Sequence, residues 1–135
     1  MISLDEFVER LCRLGADRGP RRFPRKQRDR DIMMKSIVMQ MDSARSYSEP
    51  EINAILMEWK RSVAPSIETD YVAIRRLLVD YGKLERTPDG SHYRVGFPLG
   101  DPLFDLEVDD IDLRSTVAAY VDYQRRRKRP APKPR

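Results

Sequence analysis

The sequence predicts a mostly α-helical fold with one small β-hairpin, and three stretches between Tyr47 and Val95 carry that expectation. The first is a helix start. Ser48 followed by Glu51 makes a capping box, in which the serine oxygen takes the N3 amide and the glutamate reaches back to the cap amide. Tyr47 and Ile52 fall at the two positions of a hydrophobic staple, Pro50 sits in the first turn, and Ile52, Ile55, Leu56 and Trp59 follow at helical spacing. The second stretch carries Ile74, Leu77, Leu78 and Tyr81 on one face and stops at Gly82, a natural left-handed cap. The third is Pro88-Asp89-Gly90, a hairpin-turn signature flanked by residues 83–87 and 91–96. Helix, helix and two-stranded wing in that order is the plan of a winged helix-turn-helix core, to which extra N- and C-terminal helices are added.

The N-terminal helix is expected over residues 4–14, with Leu4, Phe7, Val8, Leu11 and Cys12 on one side, a capping box from Ser3 to Glu6, and Gly15 as its end. Gly19-Pro20 and Pro24 make residues 17–28 an irregular linker. The next helix is expected from about Lys26 to Met41, where Met33, Met34, Ile37, Val38 and Met41 form an apolar face of core filler rather than a ligand set. A short turn at 42–46 delivers the chain to Tyr47. Pro65 marks the link between the two central helices, with Ser66 or Thr69 as candidate cap of the second. After the hairpin, residues 97–109 are rich in turn chemistry but hold Phe97, Leu99, Leu103, Phe104 and Leu106, and are expected to run over the domain and cover apolar surface. A last helix at 111–126, started by Asp109 or Asp112, carries Leu113, Val117, Tyr120, Val121 and Gln124 as its stripe. The organisation read from this is a helix at 1–16, the winged core at 17–97, a covering loop and helix at 98–124, and a basic disordered tail at 125–135.

At 135 residues the chain has the size of one domain with tails, and 40% hydrophobic and 36% charged content suits a modest helical core. There is no apolar run long enough to span a membrane and no basic-then-apolar leader, and the single cysteine fits a reducing compartment; a cytoplasmic protein is the expectation. Charge is sorted into blocks. Residues 125–135 hold seven basic and no acidic residues, so that the remainder of a chain of net charge +4 stands at −3. A second basic cluster comprises Arg18, Arg21, Arg22, Arg25, Lys26, Arg28 and Arg30, only partly offset by Asp17, Asp29 and Asp31. Between Leu99 and Asp112 lie six acidic residues and no basic one. Clustering of this kind sets local field strength and is better evidence of a polyanion partner than the net charge alone.

Several stretches resemble the bacterial family catalogued as domain of unknown function 2087. They are Arg22-Phe23-Pro24-x-Lys26, Tyr47-Ser48-Glu49-x-Glu51-Ile52-Asn53-x-Ile55-Leu56, Arg75-Arg76-x-Leu78-Val79-Asp80-Tyr81-Gly82-x-Leu84-x-Arg86 and Asp89-Gly90-Ser91-x-Tyr93-Arg94. The likeness runs in order from about Arg21 to Arg94. It implies a winged-helix domain and a regulatory or nucleic-acid-binding role. The segment before the second central helix, 63–69, is longer than that pattern leads one to expect.

In a helix-turn-helix the second helix presents its N-terminal half to base edges in the major groove. Counting 100° per residue from the apolar stripe, Thr69, Val72, Arg76, Val79 and Lys83 lie farthest from the core. Arg76 is the candidate for a bidentate guanine contact, and Thr69 or Arg75 for phosphate. The plain alternative is that Arg75 or Arg76 pairs with Asp80 or Glu51. On the hairpin, Arg86, His92 and Arg94 are candidates for a backbone or minor-groove contact, against which acidic Asp89 at the tip argues. Arg22, Arg25, Lys26 and Arg28 are candidates for sequence-independent affinity through counterion release. The expected partner is double-stranded DNA, bound in transcriptional regulation, with a homodimer through the N- or C-terminal helix as a further expectation. The rival is a protein-interaction module using Val72 and Val79 on the same helix; RNA binding through the basic segments alone is a third reading. Catalysis finds little footing: His92 has no nucleophile arranged about it, Cys12 lies on a helix face, and no phosphate-cradling glycine loop or zinc set is present. No enzyme, cofactor or metal is expected.

Overall fold

The computed structural model of the chain describes residues 1–17, 19–96 and 102–128. In order these form α1 (Leu4–Ala16), α2 (Gln27–Val38), β1 (Tyr47–Ser48), α3 (Glu49–Ser62), α4 (Tyr71–Asp80), β2 (Leu84–Arg86), β3 (His92–Val95), the short 3-10 helix η1 (Leu106–Asp110) and α5 (Leu113–Lys128). The chain is mostly helical, with a small antiparallel sheet in the order β1-β3-β2. Tyr47 and Ser48 pair with Tyr93 and His92, while Leu84, Glu85 and Arg86 pair with Val95, Arg94 and Tyr93. Leu84 and Tyr93 point inward and their sequence neighbours outward, the two-residue alternation of a sheet covered on one face. Two residues of β1 are too few to show a period, so the sequence discloses Tyr47 only as part of a helix start.

The centre of the molecule is α2, where Ile32, Met33, Met34, Lys35, Ser36 and Ile37 are buried in succession. A helix covered on all sides must satisfy each polar group it carries. Ser36 does so with one hydroxyl: it donates to the Met33 carbonyl at 2.6 Å and accepts from the Trp59 indole nitrogen of α3 at 2.8 Å. Phe7 and Leu11 of α1, Ile52 and Leu56 of α3, and Ile74 and Leu78 of α4 close the core around it. The Ser48–Glu51 capping box is complete, with both reciprocal bonds made at the start of α3.

Several local expectations are corrected. Ser3 caps α1 by accepting from the Glu6 amide at 3.1 Å, but the Glu6 carboxylate is turned to Arg28 rather than back to the cap, so that box is half made. The α1 helix runs past Gly15 to Ala16; a Cβ on Gly15 would lie 3.0 Å from that of Ala64, so this glycine lets two segments approach instead of ending the helix. Asp70, not Ser66 or Thr69, caps α4, its carboxylate accepting from Ala73 at 2.9 Å. Tyr81 leaves the apolar stripe and stands 46% exposed, with the Arg30 guanidinium 3.8 Å over its ring. Gly82 does adopt the left-handed conformation expected of it, at φ +73°.

Of the covering segment, residues 97–101 lie outside the described residues, and Phe97 and Leu99 with them. Phe104 is buried edge-on against Phe7 at 5.8 Å, whereas Leu103 and Leu106 face outward; Val108, not singled out in the sequence, is the second covering residue. Asp112 starts α5 by accepting from Ser115 at 3.1 Å, while Asp109 is 2.7 Å from the buried Lys35 ammonium. The last helix, expected to end at Arg126, runs on to Lys128 and so takes in the first residues of the basic tail; residues 129–135 lie outside the described residues. The stripes of α1 and α5 are packed within the chain, against α2, α3 and one another. Among the described residues no helix is long and apolar enough to cross a membrane.

Candidate nucleic-acid interface

Ile74 and Leu78 seat α4 on α3 and β2, leaving Val72, Arg76 and Asp80 toward the outside. The irregular chain before α2 runs beside this helix and is fastened there. The Arg21 amide donates to the Ser66 carbonyl and the Glu68 amide to the Arg21 carbonyl. Phe23 is buried near Trp59, and its amide donates to the Thr69 hydroxyl at 2.9 Å. Between this linker and α4 lies an open cleft of about 870 Å³, bordered by Arg22, Arg25, Arg30, Asp70, Tyr71 and Arg76 among others. Arg30 is held in place twice, by its stack on Tyr81 and by a bond from Nη1 to the Arg25 carbonyl at 3.1 Å. Among the described residues none of these four arginines is within ion-pair distance of a carboxylate.

The expected contact residues separate into two groups. Arg22, Arg25 and Arg76 are exposed and border the cleft, and Lys26 is exposed just before α2. The others are committed elsewhere. Thr69 is a correction: it precedes α4, is buried, and spends its hydroxyl on Phe23 and its carbonyl on the Lys60 ammonium. Arg75 is a second correction, its side chain only 13% exposed, bonded to Asn53 and 3.0 Å from the Glu49 carboxylate. An ion pair of the kind expected as the plain alternative does form at Arg75, but with Glu49 in place of the expected Asp80 or Glu51, the latter being paired with Arg45. Arg28 is paired with Glu6, whose carboxyl is held below its ordinary range by that bond.

On the hairpin, Arg94 pairs with Glu85 at 3.1 Å, directly across the strands, and Arg86 folds back to the Gly90 carbonyl. His92 shares a 2.7 Å hydrogen bond with the Ser91 hydroxyl. At the tip, Asp89 accepts from the Ser91 amide and from the hydroxyls of Thr87 and Ser91, and these bonds hold its carboxyl far below the usual range. A carboxylate stabilised as its anion at the tip of this hairpin opposes insertion toward phosphates. Lys83 is half-buried, its amide bonded to the Leu78 carbonyl.

Sequence reasoning counted Arg30 in the basic cluster before α2 and placed Tyr81 on the apolar stripe of α4, but missed that the two meet at the cleft. Their stack joins positions far apart in the chain, so neither a motif nor a period discloses it. Val79, expected to face outward, is half-buried against the core, leaving Val72 as the aliphatic residue of this face that borders the cleft. Elsewhere, burial pushes the Cys12 thiol up to about 11, away from nucleophilic use, and among the described residues no three His, Cys, Asp or Glu side chains gather as a metal site.

Residues 21–95, more than half of the chain, match the family described as an uncharacterized protein conserved in bacteria (DUF2087). No curated protein and no solved structure matches the chain.

Proposed function

The chain belongs to the bacterial family DUF2087, and on that premise we propose that it is a winged helix-turn-helix protein that binds double-stranded DNA in transcriptional regulation. Support for the fold comes from the order α2-β1-α3-α4-β2-β3 with sheet order β1-β3-β2, which sets a helix pair before a two-stranded wing. The observation that carries the function is Arg76. It stands on the outward face of α4 without a partner among the described residues, flanked by Arg22 and Arg25 on the linker. Arg76 is the base-reading residue on this reading, through a guanidinium fork matched to guanine. Arg22 and Arg25 supply phosphate contacts and register. Arg75, tied to Glu49 and Asn53, positions α4 on α3 and reads nothing.

Selection from a random duplex pool, performed with the full chain and with Arg76→Ala, tests this. An enriched sequence that the variant no longer prefers is the expected result, at a cost of about 1–3 kcal/mol for a lost bidentate base contact. Affinity should fall with salt, and replacing one phosphate-contacting arginine should lower the logarithmic salt slope by about 1. No enrichment and no salt dependence would sink the reading. One observation favours a second reading, a protein-interaction module: the hairpin arginines are internally engaged while Val72 borders the open cleft. Salt-independent capture of a protein partner, abolished by Val72→Asp, would support it instead.

A further inference from the structure

We propose that the cleft between the linker and α4 is a phosphate-binding site, in which one phosphate group is held by Arg22, Arg25, Arg30 and Arg76. This deepens the DNA reading and rests on it only for the source of the phosphate, a backbone group beside the groove that α4 enters.

Four arginines line the cleft from three separate segments, the linker, α2 and α4. None is neutralised by a carboxylate among the described residues. Such clustering of like charge is unfavourable unless an anion sits among it. Asp70, the carboxylate at the border, is turned to the Ala73 amide as a helix cap. Arg30 is pre-set for a ligand: stacking on Tyr81 fixes the plane of its guanidinium, and the bond to the Arg25 carbonyl occupies Nη1. Its Nη2 has no acceptor among the described residues, and its Nε is buried without one.

A planar carboxylate offers two oxygens in one plane, whereas forks arriving from separate segments match the tetrahedral oxygens of a phosphate. The first turn of α4 borders the same cleft, placing the positive end of the helix dipole beside the bound group. The hairpin differs in each respect, since Arg86 and Arg94 are engaged and Asp89 remains anionic. The strand is thus gripped on the linker side of α4, not by the wing.

The full chain, isotopically labelled, is titrated with inorganic phosphate at constant ionic strength against chloride while backbone amide resonances are followed. Saturable shifts confined to residues 22–30 and 69–81 are expected. Arg25→Gln or Arg76→Gln should weaken them by roughly tenfold, the scale of one charge-assisted hydrogen bond, and Arg126→Gln on α5 should leave them unchanged. A short DNA duplex is then added. Displacement of phosphate by the duplex assigns the site to the DNA backbone. Phosphate binding that the duplex neither joins nor displaces keeps the cleft as a site for a free phosphorylated compound, and it is then the DNA reading that fails. If phosphate leaves those amides unmoved, or if both cleft variants titrate like the native chain, the proposal is overturned even where the duplex binds elsewhere.

Discussion

Ser36 shows how much one small side chain can hold. Its hydroxyl meets the Trp59 indole and the Met33 carbonyl inside a helix with no access to water. Ser36→Ala leaves the indole N–H buried and unpaired, and should cost about 1–3 kcal/mol in chemical denaturation; a midpoint within error of the native chain would exclude the role. Cys12 lends itself to a pH measurement. Its thiol is raised in the folded chain to about 11, from an unfolded value near ~8.5. A raised pKa contributes stability that is fully present below the unfolded value and lost as pH rises toward the folded one. Alkylation at pH 8 should therefore wait for unfolding, and stability should decline between those two values; rapid labelling of the native chain would contradict this. At this scale the sequence discloses types better than partners. Arg75 and Arg76 are adjacent and chemically equal, and 100° of helix turns one to Glu49 and Asn53 and the other outward. The apolar stripe correctly left Arg76 farthest from the core. It also put Thr69 on the reading face, although Thr69 was at the same time a candidate cap, and the helix starts after it with Asp70 as the cap.

Among the elements, those with local causes were legible. The box at Ser48 and Glu51 is closed by two bonds within four residues, and Ser48→Ala should cost about 0.5–2 kcal/mol of thermal stability. The same letters at Ser3 and Glu6 close only one bond, because Arg28 of α2 competes for the glutamate. A motif states what a segment can do alone, and long-range pairing decides whether it does. Glycines divide similarly. Gly82 and Gly90 take the positive φ that turns ask of them. Gly96 is needed for a different reason: a Cβ there would lie 2.1 Å from the Gly82 carbonyl oxygen, where the end of β3 meets the end of α4. Gly96→Ala must displace backbone, and a loss of about 1–3 kcal/mol is expected, read as a fall in the melting temperature. Gly82→Ala tests a separate cause, since the space beside it is open and only its conformation is strained.

Over the whole molecule, the family segment 21–95 is enclosed by parts that lie outside it. Two of its buried charges are answered from beyond its ends. Asp29 receives a bidentate bond from Arg10 of α1, and Lys35 is paired with Asp109 of η1. The acidic block between Leu99 and Asp112, which in the sequence reads as a helix cap or a partner for basic segments, supplies that second partner through Asp109 and the cap of α5 through Asp112. The segment 21–95 expressed alone should therefore be markedly less stable than the full chain and expose apolar surface to a reporter dye. Asp109→Asn in the full chain should cost about 1–3 kcal/mol, less than a fully buried pair because Asp109 is half exposed. A segment as stable as the whole would show these flanking helices to be ornamental.

The Lys35–Asp109 pair also sets an order of events during synthesis. A growing chain carries Arg10 before Asp29 is made, so that charge can be matched as soon as α2 forms. Lys35 has to wait until η1 has left the ribosome, and the core around α2 stays open on that side in the meantime. Nascent chains stalled before Asp105 should remain sensitive to protease, and those stalled well beyond α5 should not. Equal resistance at both lengths would mean that the core closes without its C-terminal charge.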